Sequence, residues 1–120
     1  MLHLSFYLLT AAVLIGLVLA LFYVGLLPRR SWIAGGVHAA LAATGLVLLI
    51  LSLGGAARGA DYGVQSFGAI AAVIATTALL IGLTFAGLQI FAKRRVNWLV
   101  GAHVTIGITA YFFLMAYLTF

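Results

Sequence analysis

The chain has 120 residues, of which 67% are hydrophobic and 6% are charged. Soluble domains usually carry about 25% charged residues, so this composition excludes a soluble enzyme fold and indicates an integral membrane protein. The absence of cysteine excludes disulfides, thiolate catalysis and iron–sulfur clusters. Asp61 is the single acidic residue, which excludes a carboxylate pair. The net charge of +5 comes from basic residues grouped in short turns. They predict membrane topology, and we expect no nucleic-acid partner.

Four apolar runs predict four transmembrane helices, because each is long enough to cross a bilayer of about 30 Å. None of them shows the alternation of a membrane β-strand. The predicted helices span residues of about 4–27, 32–53, 68–92 and 97–119. We therefore expect an all-α fold, an integral membrane four-helix bundle made of two repeated helical hairpins, in a single transmembrane domain.

The basic residues predict the orientation of the chain. Five of the six lie in the two tight turns, at residues 29–30 and 93–95. The positive-inside rule places both turns in the cytoplasm and both termini outside, in a membrane that we expect to be a bacterial inner membrane. Trp32 and Trp98 follow the two turns and are predicted to anchor the membrane interface.

The sequence contains an internal repeat. Residues 10–17 and residues 76–83 are identical at six of eight positions, at an offset of 66. The two Arg-Arg pairs lie 65 residues apart, and at that offset His38 falls on His103. We infer a duplicated hairpin with halves 1–53 and 67–120. A direct repeat of this kind predicts a pseudo-twofold axis along the membrane normal, with the second and fourth helices as equivalents.

His38 and His103 are the leading candidates for function. Each lies eight residues beyond the second arginine of its turn, roughly 10–12 Å along a helix. Both imidazoles are therefore expected at one depth in the inner leaflet. An ionisable residue within a membrane is costly and indicates a functional site by default.

Small residues share the helical face of each histidine, four and seven positions further along the chain. They are Ala42, Gly45, Gly107 and Ala110. Gly16 and Gly82, in the first and third helices, are expected nearer the middle of the membrane. Together these residues predict a slot between four helices.

A flat macrocycle fits such a slot. Haem iron in an electron-transfer site takes two axial ligands, and facing helices of a bundle can supply one each. We therefore predict one haem b with His38 and His103 as its ligands. Its anionic propionates need cations, and arginine suits carboxylates. The candidates are Arg29, Arg30, Arg94 and Arg95, of which Arg30 and Arg95 are nearest the ligands in sequence.

Residues around the two histidines carry a resemblance to known proteins. Gly36 and Gly101 each precede a histidine by two positions, and Gly45 and Gly107 follow on the same helices. This pattern looks like the helices of membrane b-type cytochromes, and the whole chain resembles a reduced form of ferric-reductase-like and cytochrome-b-like bundles. The resemblance implies haem b, with these four glycines among the residues that line it, and electron transfer to or from quinone, or within a larger respiratory complex. Those families usually carry four histidines and two haems. His3 has no partner at its depth, so we expect one haem here.

A different class of function stays open. Small residues at four-residue spacing also form plain helix-packing surfaces, and arginine turns also set topology. The chain would then be a non-catalytic structural or accessory subunit of a respiratory or photosynthetic complex, with the histidines holding a pigment or nothing. In either case we expect a lipid bilayer around the chain, and other membrane subunits or a second copy as partners. Catalysis by this chain alone is not expected.

Overall fold

The computed structural model describes residues 1–27, 31–56 and 58–120. These residues form four α-helices and one short 3-10 helix, and no β-strand is found among them. Each α-helix is long and apolar enough to cross a membrane. The all-α fold and the four membrane-length helices are therefore confirmed. The elements are α1 (Leu2–Tyr23), α2 (Trp32–Ser52), the 3-10 helix (Ala60–Tyr62), α3 (Phe67–Phe91) and α4 (Asn97–Thr119).

Helix α1 ends at Tyr23, about four residues before the end of the apolar run. Gly25 has a φ of 82°. Its N–H donates to the carbonyl of Phe22, and the N–H of Leu26 donates to the carbonyl of Leu21. These two bonds form a Schellman motif, which closes a helix when a glycine can adopt the left-handed conformation. The apolar run predicted the helix, and the glycine determines where it stops.

Helix α2 begins with a side-chain cap. Ser31 precedes the helix, and its hydroxyl oxygen accepts the N–H of Ala34 at 3.2 Å. A serine in this position satisfies one of the backbone donors that an α-helix leaves unpaired at its start. Arg29 and Arg30, predicted to lie in the preceding turn, fall outside the described residues.

The chain divides into two compact units, Met1–Ser52 and Leu53–Phe120. The first contains the hairpin of α1 and α2, and the second contains the hairpin of α3 and α4. Within each hairpin the two helices pack against each other along their length. The rotation that the repeat predicts between the two halves stays a prediction.

The first hairpin is held by close packing around a buried serine. Ser5 is fully buried, and its hydroxyl donates to the carbonyl oxygen of Gly45 at 2.7 Å. A Cβ added at Gly45 would lie 2.7 Å from Cγ of Leu9, closer than side chains tolerate. Small residues at helix interfaces permit such close approach, and polar side chains add hydrogen bonds between helices.

The second hairpin uses aromatic side chains at the equivalent end. The rings of Phe67 and Phe113 meet edge to face, with centroids 5.1 Å apart. Tyr117 is buried, and its ring lies where a side chain at Gly68 would have to stand. The two hairpins therefore share a helical plan and differ in how this end is packed.

Candidate functional site: two histidine seats

His38 of α2 is bonded to the backbone of α1. Its Nδ1 lies 2.8 Å from the carbonyl oxygen of Ala12. A carbonyl oxygen can only accept, so Nδ1 carries the proton and donates it. In a neutral imidazole the lone pair then resides on Nε2. The histidine is partly exposed in its hairpin.

A glycine provides the space that the imidazole occupies. A Cβ added at Gly16 would stand 2.8 Å from Cε1 of His38 and 3.2 Å from its Nδ1. Gly16 is four residues beyond Ala12, so its own N–H bonds the same carbonyl within α1. A helical side chain covers the turn that precedes its own Cα. The missing side chain therefore leaves the Ala12 carbonyl accessible to a second donor. We call His38, Ala12 and Gly16 the first histidine seat.

The second hairpin repeats this arrangement. Nδ1 of His103 lies 2.7 Å from the carbonyl oxygen of Ala78. A Cβ added at Gly82 would stand 2.7 Å from Cε1 and 2.8 Å from Nδ1 of the same ring. His103 is also partly exposed in its hairpin. His103, Ala78 and Gly82 form the second histidine seat.

The two seats follow the numbering of the internal repeat. His38 and His103 are 65 residues apart, whereas Ala12 and Gly16 are each 66 residues from Ala78 and Gly82. The agreement extends to the threonine that lies two residues before each alanine. Thr10 and its repeat partner Thr76 both donate to the carbonyl four residues earlier, each at 2.7 Å. The repeat therefore preserves an arrangement of atoms as well as a sequence.

The two glycines that precede the histidines by two positions lie away from the histidine seats. Gly36 and Gly101 are exposed, and a Cβ added at either would have no atom within 4 Å. Arg94 and Arg95 are also exposed, in the segment between α3 and α4. Arg29 and Arg30 fall outside the part of the chain that is described.

The small residues on the histidine faces lie inside the hairpins. Gly45 is buried against α1, and Ala110 of α4 is also buried. Ala42 and Gly107 are half-buried, and a Cβ at Gly107 would lie 4.0 Å from the Cβ of Ala78. The faces of Gly45 and Gly107 therefore contact the preceding helix of their own hairpin. Contact of any of these four residues with a haem stays a prediction.

Sequence reasoning identified the two histidines and missed the groups that hold them. The acceptors are the backbone carbonyls of Ala12 and Ala78, which no side-chain pattern reveals. A signal was nevertheless present, because the repeated block contains an alanine followed four residues later by a glycine in both copies. The sequence predicts that Gly16 and Gly82 line a slot, and the structure places each of them against an imidazole.

The seats offer one type of metal donor, a neutral imidazole nitrogen. Among the described residues, no group of three or more His, Cys, Asp or Glu side chains is placed to hold a metal ion. Comparison with known proteins finds no matching family model, no similar curated protein and no similar solved structure.

Proposed function

We propose that this chain is a membrane b-type cytochrome that holds one haem b through His38 and His103. It carries electrons, to or from quinone or within a larger respiratory complex. The observation that supports this most directly is the matched pair of bonds from Nδ1–H to a backbone carbonyl, at 2.8 Å for His38 and 2.7 Å for His103.

This bond is the one that metal-ligating histidines usually make. A ligating imidazole donates its other ring N–H to a carbonyl or carboxylate, which fixes the ring orientation and tautomer and raises the basicity of the ligand nitrogen. In both seats the donor is Nδ1, so the nitrogen with the lone pair is Nε2. The donor chemistry of the two residues therefore fits a role in which they would hold haem iron.

The position of the cations agrees with this proposal. Arg94 and Arg95 are exposed just before α4, and His103 lies eight residues beyond Arg95. Arginine pairs well with carboxylates, so these side chains would hold the propionates near the membrane interface. We place both basic turns in the cytoplasm and the termini outside, in a bacterial inner membrane.

If haem b is bound, His38 and His103 would hold it and the iron would supply one-electron redox chemistry. The chain itself contributes the two imidazoles, their orientation through Nδ1–H, and an apolar surrounding. Such a site supports electron transfer and leaves no place for an oxygen ligand.

A reduced-minus-oxidised absorption spectrum of the purified chain tests the proposal. We expect a b-type α band in the parent protein. His38→Ala and His103→Ala should each abolish the low-spin signal, and His3→Ala, at an exposed residue near the start of α1, should retain it. A parent protein without haem after supplementation, or a double histidine variant with an unchanged spectrum, would contradict the assignment.

The accessory-subunit function is the second candidate, and the same two bonds favour it. Each imidazole already joins the two helices of its hairpin, so a structural role accounts for the contacts seen. On this alternative, replacing either histidine lowers the stability of the protein, and the purified chain alone shows no b-type α band, because any pigment is held together with other subunits or is absent.

A further inference from the structure

Gly16 and Gly82 each lie against the imidazole of a seat. We propose that these glycines are positioning residues that select the tautomer of His38 and His103. They do so by leaving a helical carbonyl open to Nδ1–H, which keeps Nε2 unprotonated. The consequence for haem binding rests on the proposed function, whereas the effect on the tautomer does not.

A side chain at Gly16 or Gly82 would collide with the imidazole of the same seat. An added Cβ would lie 2.8 Å from the ring at Gly16 and 2.7 Å at Gly82, well inside ordinary van der Waals contact. The atoms it would meet belong to a rigid ring whose Nδ1 is hydrogen-bonded to the same helix. The ring can move away only by lengthening that bond.

Four other glycines of the two hairpins have no close neighbour. Gly35, Gly36, Gly87 and Gly101 lie in α2, α3 and α4, and an added Cβ at each of them would meet nothing within 4 Å. Alanine therefore fits at these four positions without displacing a neighbour, whereas at Gly16 and Gly82 it requires the imidazole to shift. The four open glycines provide matched controls for the same chemical change.

The effect on the tautomer follows from the acceptor. A carbonyl oxygen stabilises the imidazole only when Nδ1 is protonated. Without that bond the proton is free to occupy Nε2, the position that histidine side chains favour in water. A proton on Nε2 blocks metal ligation at that nitrogen, because only neutral nitrogen with a lone pair binds a metal. The glycine thus determines which ring nitrogen carries the proton and which carries the lone pair.

Nitrogen-15 NMR of histidine in the haem-free full chain, in lipid bicelles, tests this directly. In the parent protein we expect both His38 and His103 as the Nδ1–H tautomer, assigned with single histidine variants. Gly16→Ala should shift His38 toward the Nε2–H tautomer and leave His103 unchanged. Gly82→Ala should do the reverse. Gly35→Ala and Gly87→Ala, at open positions of α2 and α3, should change neither residue.

Each glycine variant carries an internal control, because the other seat lies in the other hairpin. The proposal is overturned if Gly16→Ala and Gly82→Ala retain the Nδ1–H tautomer, or if each variant alters both histidines equally. In haem-loaded protein, the same two variants should lower the affinity for haem by about tenfold relative to Gly87→Ala, the usual cost of losing a hydrogen bond that orients a ligating histidine. A parent protein that binds no haem would remove the proposed function and leave the NMR result standing.

Discussion

Leu49 of α2 and Leu114 of α4 are the leucines that the described structure buries most completely, at 0% and 1% exposure. They stand 65 residues apart, the same interval that relates His38 to His103. Each follows its histidine by eleven residues, three turns along the same helical face. The repeat therefore preserves a buried leucine three turns beyond each histidine, although the surrounding packing differs between the two hairpins.

Truncation of these leucines should destabilise both hairpins. We expect Leu49→Ala and Leu114→Ala each to lower the free energy of unfolding by about 2 kcal/mol, the low end of the range for buried leucines. The low end applies because lipid is as apolar as leucine, so that the loss is mainly one of packing. Titration with denaturing detergent in mixed micelles measures the change. Leu14→Ala and Leu80→Ala are matched controls, both 60% exposed and themselves related by the repeat, and should have little effect.

The buried hydroxyl of Ser5 should contribute modestly to the first hairpin. Ser5→Ala removes its bond to the Gly45 carbonyl, and hydrogen bonds between membrane helices average about 0.6 kcal/mol. We expect a loss of that size in the same detergent titration. Thr109→Ala, which removes an exposed hydroxyl bonded to its own helix, should change stability less. Equal losses in the two variants would show that burial of the Ser5 bond adds nothing.

Glycine substitutions should have opposite effects according to backbone conformation. Gly25→Ala forces a side chain into a φ of 82° and should cost about 1 kcal/mol. Gly87→Ala lies inside α3 with open space around the new methyl group, and should stabilise by about 0.5 to 1 kcal/mol. Thermal unfolding in one detergent compares them directly. A stabilising Gly25→Ala would contradict the Schellman motif at the end of α1.

The orientation of the chain can be measured with single cysteines, because the protein has none of its own. Gln65 lies in the segment that connects α2 to α3, and Ala92 follows α3. Both residues are exposed. In intact cells, Gln65→Cys should react with a membrane-impermeant maleimide, and Ala92→Cys should react only after the membrane is opened. The reverse pattern would place the basic turns outside and would contradict the positive-inside assignment.

The sequence was sufficient to predict the helices, since hydropathy alone reports which segments can lie in lipid. It was less informative at helix ends. The residues from 24 to 27 are apolar like those before them, but Gly25 closes α1 through backbone hydrogen bonds. Hydropathy does not report where a helix ends, because the end can depend on the φ of a single residue.

The helix faces that carry the histidines show a second limit of prediction from sequence. The helical period correctly grouped His38 with Gly45 and His103 with Gly107 on shared faces. It could not predict which neighbouring helix covers each face, because all the candidate neighbours are equally apolar. The structure places Gly45 against Leu9 of α1 and Gly107 near Ala78 of α3.

The hydrogen-bond acceptor of each seat belongs to the main chain, and this affects how the protein tolerates mutation. Substitution at Ala12 or Ala78 cannot delete a carbonyl, and the small size of these residues is required by their burial at 3% and 5% exposure. Few mutations can therefore remove the bond between Nδ1–H and the carbonyl. They are a change of the histidine itself, or a side chain added at Gly16 or Gly82. As copies of this chain diverge, we expect position 12 to vary among small residues while position 16 stays glycine, and the same contrast at 78 and 82.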